Sequence, residues 1–196
     1  MKKASIAIIQ ARMGSSRLPG KVLLEIAGQP MLKRVIERSC RAETIDQVIV
    51  ATTDEPSDDP IVELCKKSGY PYYRGSMTDV LDRYYQTARQ YDPGLIVRIT
   101  ADCPLIDPQV IDRTVLAFLG ETQPQDRLLQ PEHARLPGDP DGMYLYDFAA
   151  NRLPPSWGRT FPVGLDTEVC SFEALETAWE EAQEPYQREH VMPFFY

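Results

Sequence analysis

Short β-branched apolar runs alternate with stretches of helical spacing over roughly the first 120 residues, and few folds accommodate that rhythm. Ser5 to Gln10 and Gln47 to Thr53 read as strands. Between them, Pro30 to Arg41 carries Leu32, Val35 and Ile36 at helical spacing, with Pro30 near the start, where a missing N–H costs nothing. Pro60 to Ser68 supplies the next helix, Tyr70 to Tyr73 a short strand, Asp79 to Tyr91 a helix, Leu95 to Thr100 a buried strand and Pro108 to Leu119 a further helix. Four βα units in succession predict a mainly parallel sheet covered on both faces, a three-layer α/β/α sandwich.

The chain has 196 residues, which suits one domain with a real core. Residues 120 to 143 interrupt the rhythm with four prolines and three glycines among polar neighbours. The stretch reads as a mobile insertion, with a functional lid as the alternative. Strand Leu165 to Cys170 and a helix from Phe172 to Glu184 follow it. The net charge of −8 argues against binding a nucleic-acid polymer, which needs a basic face. No apolar run approaches the roughly 20 residues of a membrane span, and Met1 to Lys3 lead into a strand rather than a signal peptide. Cys40, Cys65, Cys103 and Cys170 lie too far apart for a CxxC pattern, and reduced thiols in a cytoplasmic protein are the expectation.

The first strand breaks into QARMGSSRLPGKVL, residues 10 to 23. Open α/β sheets place ligands at the carboxyl ends of strands, and this loop suits phosphates: Gly14, Ser15 and Ser16 let backbone N–H groups approach an anion, with Arg12, Arg17 and Lys21 around them. The spacing fails the GxxxxGK[ST] pattern, and no GxGxxG is present. The first 21 residues hold five Lys and Arg and no acid, so an acidic protein concentrates cations at this end. A solvated basic loop is the plainer alternative.

Three further groupings carry candidate chemistry. Asp102 follows the strand Leu95 to Thr100, where a carboxylate near a phosphate loop could share Mg²⁺ with a triphosphate; capping of a turn before Pro104 is the structural alternative. Asp107, before Pro108, reads as a helix N-cap. Arg74, Gly75 and Ser76 precede a helix on which Asp79, Asp82 and Arg83 share a face, a spacing that equally builds a surface ion pair. Asp166 and Glu168 alternate onto one face of a strand, for metal or acceptor hydroxyls or merely solvent. Arg188, Glu189 and His190 lie near the end, His190 as an anion contact, a base or a structural histidine.

The loop, together with VIVATTDEPSDDPI (48 to 61), RGSMTDVLDRYY (74 to 85), VRITADCPLIDP (97 to 108), GLDTEV (164 to 169) and REHVMP (188 to 193), resembles the cytidylyltransferases that make CMP-activated acidic sugars. CMP-KDO synthetase is the familiar relative, and the branch named after spore-coat polysaccharide biosynthesis protein F is the nearest match. The resemblance implies a nucleotide-diphospho-sugar transferase-like fold with a mixed sheet, CTP and a sugar as substrates, Mg²⁺ as cofactor, and a role in surface polysaccharide or glycan biosynthesis. It assigns the nucleotide to Gln10, Ala11, Arg12, Gly14, Ser15, Ser16, Arg17, Lys21, Arg74, Ser76 and Asp82, and the acceptor to Arg83, Asp166, Glu168, Arg188, Glu189 and His190. Arg17, Lys21 and Asp102 take the catalytic roles, with Asp102 as metal ligand. Relatives continue past the REHV block to a second metal aspartate, whereas this sequence stops at Tyr196: either the chain is shortened, or Asp166 takes over part of that role as a second metal ligand, or metal binding is incomplete, and a homodimer is left open. A glycosyltransferase of the related fold and a non-catalytic nucleotide-binding protein remain as alternatives.

Overall fold

The computed structural model describes residues 3–15, 17–121, 146–152 and 161–196. Its main sheet is built from β1 (Ser5–Gln10), β4 (Gln47–Thr53), β5 (Tyr72–Gly75), β6 (Leu95–Thr100), β7 (Phe148–Ala150) and β8 (Glu168–Ser171), in the order β5-β4-β1-β6-β8-β7. The first four strands of that order are parallel, β8 runs antiparallel to β6, and β7 antiparallel to β8. A two-stranded hairpin, β2 (Glu25–Ile26) with β3 (Gln29–Pro30), follows the first loop and was not foreseen.

The alternation of side chains along β1 explains the layering. Ala7 and Ile9 face a core closed by α1 (Met31–Ser39), α2 (Asp59–Ser68) and α4 (Pro108–Phe118), through Leu32, Val35, Ile61, Ile111 and Phe118. Ile6 and Ile8 face a second core closed by α3 (Val80–Tyr91) and α5 (Phe172–Glu181), through Leu81, Tyr84, Leu175 and Ala178, with Val191 and Met192 from the chain end. The expected three-layer sandwich with a mixed sheet is the observed fold.

Several boundaries differ for local reasons. The strand expected at Tyr70 to Tyr73 lies two residues later, because Gly69 caps α2 in the left-handed region and Pro71 offers only its carbonyl, to Val50 N. The strand expected from Leu165 starts at Glu168. Before it, the Asn151 side chain replaces a ladder partner, accepting from Thr167 N at 2.9 Å and donating to Leu165 O at 2.6 Å. The helix expected to reach Glu184 stops at Glu181, and a separate α6 (Pro185–His190) begins behind a Glu184/Gln187 capping box with Pro185 in its first turn. All four cysteines are free, with Cys40 exposed and the other three buried. The insertion at 120 to 143 lies outside the described residues beyond Glu121, as does Ser16.

Candidate active site

β1 and β6 lie side by side with Gln10 opposite Thr100. The chain leaves β1 toward β4 on one side and leaves β6 toward β8 and β7 on the other, so their carboxyl ends open a crevice at a topological switch point. Pairing continues one residue further, Ala11 N to Ala51 O and Ala101 N to Gln10 O, each 3.0 Å, before the loops diverge.

The loop after β1 is held at both ends. Met13 N donates to Asp58 Oδ1 at 2.7 Å, and Gly20 N to Met13 O at 2.9 Å. Asp58, 1% exposed, also accepts from both the Thr52 and Thr53 hydroxyls, stapling the loop to the end of β4. Gly20 has φ 71°, and a Cβ there would lie 3.3 Å from Met13 Cε, so the turn that delivers Lys21 favours glycine. Lys21 Nζ donates to Asp102 Oδ2 at 2.6 Å. Burial alone would raise the Asp102 carboxyl pKa, but hydrogen bonds from Lys21 and Thr100 outweigh it and bring the group below its ordinary value.

Three adjoining clefts open here. The first, about 270 Å³, is lined by Gly14, Ser15, Arg17, Lys21 and Asp102 along with Gln10, Ala11 and Arg12. The second, about 390 Å³, shares Gln10, Ala11 and Arg12 and adds Met77, Thr78, Arg83, Glu189 and His190. The third, about 600 Å³, shares His190 with the second and Thr100 with the first; Arg98, Arg152, Asp166, Glu168, Tyr186 and Tyr196 complete most of its wall. Residues from the first strand, the middle of the chain and its end thus form one three-lobed crevice.

The sequence candidates occupy different positions in it. Arg12, Gly14, Ser15, Arg17 and Lys21 of the first loop stand with Asp102 around the first cleft. Arg83 is 2% exposed in the second, its Nη1 donating to Ser76 O at 2.6 Å and its Nε buried without a hydrogen-bond partner. It fits because residue 75 is glycine: a Cβ there would come 2.9 Å from the Tyr73 ring and 3.3 Å from Arg83 Cγ. Burial, with Arg12 nearby, lowers the Arg83 pKa. Arg74 lines none of the three clefts. Its Nε, Nη1 and Nη2 go to Thr53 O, Asp59 Oδ1 and Glu55 O at 2.9, 2.7 and 2.8 Å. Ser76 Oγ accepts from Asp79 N at 2.9 Å, and Asp82 accepts from Trp179 Nε1 at 2.9 Å. Asp107 does cap α4, through Gln109 N at 2.8 Å.

In the third cleft, Glu168 is buried in an ion pair with Arg98 and accepts from the Tyr196 hydroxyl at 3.1 Å. Arg152 stands 3.6 Å from Glu168 and 3.7 Å from Asp166, its Nε buried without a hydrogen bond. Arg98, Thr100, Arg152, Tyr186 and Tyr196 were not foreseen. A single arginine inside the apolar strand LIVRIT was the available signal for Arg98, since a buried cation needs a partner. Met77 and Thr78 could have been read from their place between Ser76 and Asp79.

Among the described residues, no cluster of three His, Cys, Asp or Glu could enclose a metal ion. Asp102, a single carboxylate beside a cation-lined anion pocket, suits only an ion that brings its other ligands as phosphates and water, which is how Mg²⁺ binds beside nucleotides. Asp166 stands in the neighbouring lobe, and both carboxylates add to the effect of burial in raising the Cys103 thiol pKa.

A switch-point crevice lined with loop cations, on a mixed sheet of this order, is the arrangement of an α/β protein of the nucleotide-diphospho-sugar transferase fold. A family model described as cytidylyltransferase matches residues 6–196. A cytidylyltransferase structure from Leptospira borgpetersenii superposes with a TM-score of 0.78 at 35% identity, covering 98% of this chain and 70% of that one. An uncharacterized protein of Methanocaldococcus jannaschii is 38% identical over 97% of this chain and 66% of its own. The spore coat polysaccharide biosynthesis protein SpsF of Bacillus subtilis is 29% identical over 93% of this chain and 69% of its own. The chain belongs to the cytidylyltransferase family, and it spans about two thirds of the length of these two relatives. No helix among the described residues is long and apolar enough to cross a membrane.

Proposed function

We propose that the chain transfers a cytidylyl group from CTP to a sugar, with release of pyrophosphate. The observation that carries this reading is the convergence of Arg12, Arg17, Lys21 and Asp102 on one lobe of a crevice whose other lobes have room for a nucleoside and a sugar. The triphosphate lies along the loop of the first lobe, the cytidine in the second, and the acceptor in the third. Gln10 Oε1 is buried without a partner where the first two lobes meet, an acceptor awaiting a ligand donor.

A sugar hydroxyl oxygen forms the new bond to the α-phosphorus as the bond to the bridging oxygen of the β-phosphate breaks; the hydroxyl proton passes to solvent and pyrophosphate carries away the electron pair. Positioning and charge neutralisation dominate such a transfer. Arg12, Arg17 and Lys21 neutralise the departing pyrophosphate. Asp102, with Asp166 as a second carboxylate, would hold Mg²⁺, which when bound supplies Lewis-acid stabilisation of phosphate charge. The third lobe pairs Arg98 and Arg152 with Glu168 and Asp166, donors and acceptors suited to sugar hydroxyls; the family resemblance favours an acidic sugar, whose CMP derivative would serve as a donor in surface polysaccharide or glycan assembly.

Calorimetric titration of CTP, UTP, ATP and GTP with and without Mg²⁺, followed by pyrophosphate release across a panel of acidic and neutral sugars, tests the reading. Metal-assisted preference for CTP, with release only in the presence of an acidic sugar, is expected. Absence of nucleotide binding to folded protein would overturn it.

A further inference from the structure

Among the described residues, His190 is the one that the second and third lobes have in common, so its position sets how both are shaped. The helix that carries it is short and weakly anchored by itself: α6 has six residues and none of them is buried. Its hold on the body of the protein comes from two other features.

The first is Arg188, whose guanidinium is turned toward the protein. Nε and Nη2 donate to Asp79 Oδ2 at 3.0 and 2.5 Å, and Nη1 donates to Trp179 O at 2.6 Å. Asp79 is itself fixed, its other oxygen capping α3 through Asp82 N at 2.9 Å. Asp82 in turn receives the Trp179 indole, and Trp179 stacks on Tyr85 with ring centroids 4.3 Å apart. One arginine therefore ties α6 to the start of α3 and to α5, each of its three nitrogens donating one hydrogen bond within the protein.

The second feature is Val191. It is fully buried and β-branched, yet holds φ 69° and ψ −64°, a conformation such a residue adopts only where its surroundings impose it. This reversal sends Val191 and Met192 into the core beneath α3 and α5 while His190 stays at the crevice.

We infer that Arg188, expected from the sequence to touch substrate, is instead a positioning residue: the Arg188–Asp79–Trp179 clamp, with the enforced turn at Val191, holds His190 as the common wall of the nucleotide and acceptor lobes. The inference rests on the cleft assignment proposed above and deepens it. His190 is then the residue through which occupancy of one lobe is felt in the other, and loosening the clamp disturbs both lobes while leaving the phosphate loop intact.

The chain has two histidines, His133 and His190, so the imidazole NMR signals of a His133→Gln protein report on His190 alone. In the free state, Arg188→Ala in that background is expected to shift and sharpen the His190 signal, as a released side chain would, with the core methyl spectrum unchanged. Adding CTP and Mg²⁺ should move the signal in the clamped protein and move it at most half as far in Arg188→Ala. Asp79→Asn keeps the α3 cap, because asparagine caps as well as aspartate, and should give an intermediate result; it carries the test if Arg188→Ala fails to fold. A free-state His190 signal with the same position and width in both variants as in the clamped protein overturns the clamp. A signal that ignores CTP, when calorimetry shows CTP bound, overturns the placement of His190 in the nucleotide wall. Failure of CTP to bind at all counts against the proposed function, and the free-state spectra still decide the clamp.

Discussion

Lys21 and Asp102 meet at the open rim of the first lobe, whereas Arg98 and Glu168 meet beneath the third, and the two pairs show how one kind of contact serves two ends. The Lys21 and Asp102 side chains are 28% and 46% exposed and share a single hydrogen bond. Water can replace either partner, and a phosphate can replace the carboxylate as acceptor from Lys21, so the pair is cheap to open. Arg98 and Glu168 are 12% and 3% exposed, with Tyr196 and Arg152 around the same carboxylate. Burial pulls the Arg98 pKa down and Glu168 more than restores it. Opening this pair would strand a charge inside the protein. A ligand can exploit the rim pair, while the buried pair shapes the floor on which an acceptor would rest.

The largest expected effect comes from breaking the buried pair. Glu168→Ala should destabilise the fold by about 3–5 kcal/mol, the usual consequence of leaving a buried arginine without its carboxylate. Urea unfolding followed by circular dichroism measures it. A loss below about 1 kcal/mol would put Glu168 on the same footing as the exposed pair and return it to direct substrate contact.

Breaking the rim pair should reverse the pattern. Lys21→Ala and Asp102→Ala should each change stability by less than about 1 kcal/mol, because exposed pairs contribute little. Turnover should nevertheless fall on the order of 10²-fold, since each removes charge aimed at the transferring phosphates. Pyrophosphate release under saturating CTP, beside a urea curve for each variant, tests both halves. Near-normal turnover in either would remove that residue from catalysis.

The contrast also separates what could be read in the sequence from what could not. The rim site was legible because most of it is local: strand, glycine turn and three cations fall within 16 residues, 6 to 21, and Asp102 ends a neighbouring apolar strand. The alternation of strands and helices likewise gave both faces of the sheet. The floor of the third lobe draws Arg98, Arg152, Glu168 and Tyr196 from four separate segments, and only the antiparallel return of β8 beside β6 sets Glu168 opposite Arg98. Sequence spacing carries no trace of that register. Arg74 and Arg188 show the reverse difficulty. Their positions in recognisable blocks suggest ligand contacts, whereas their guanidinium nitrogens are taken up by backbone carbonyls and carboxylates of the protein itself.

Arg74 gives a smaller, third effect. Arg74→Ala removes two hydrogen bonds to carbonyls and one partly exposed ion pair, and should lower stability by about 1–2 kcal/mol. CTP affinity should change by less than about threefold, because the side chain faces the turn after β4 and not the lobes. Thermal unfolding paired with CTP calorimetry would show it. A tenfold loss of affinity with unchanged stability would make Arg74 a ligand contact after all.

The smallest effect is a shift in titration. Asp102 is held below its ordinary pKa because Lys21 and Thr100 together outweigh burial. A carboxyl depressed in the folded state adds stability that is fully present above its unfolded value and lost as pH falls through the folded one, so the Lys21 contact should fade only in acid, below about pH 4. Lys21→Met removes the larger of the two hydrogen bonds while burial remains, so the Asp102 carboxyl should then titrate at higher pH. Carbon NMR of the carboxyl groups, assigned through Asp102→Asn, resolves the two curves. Superposable titrations would mean that Lys21 does not bear on Asp102 in solution, and that the open character assigned to the rim pair is the character of two independent side chains.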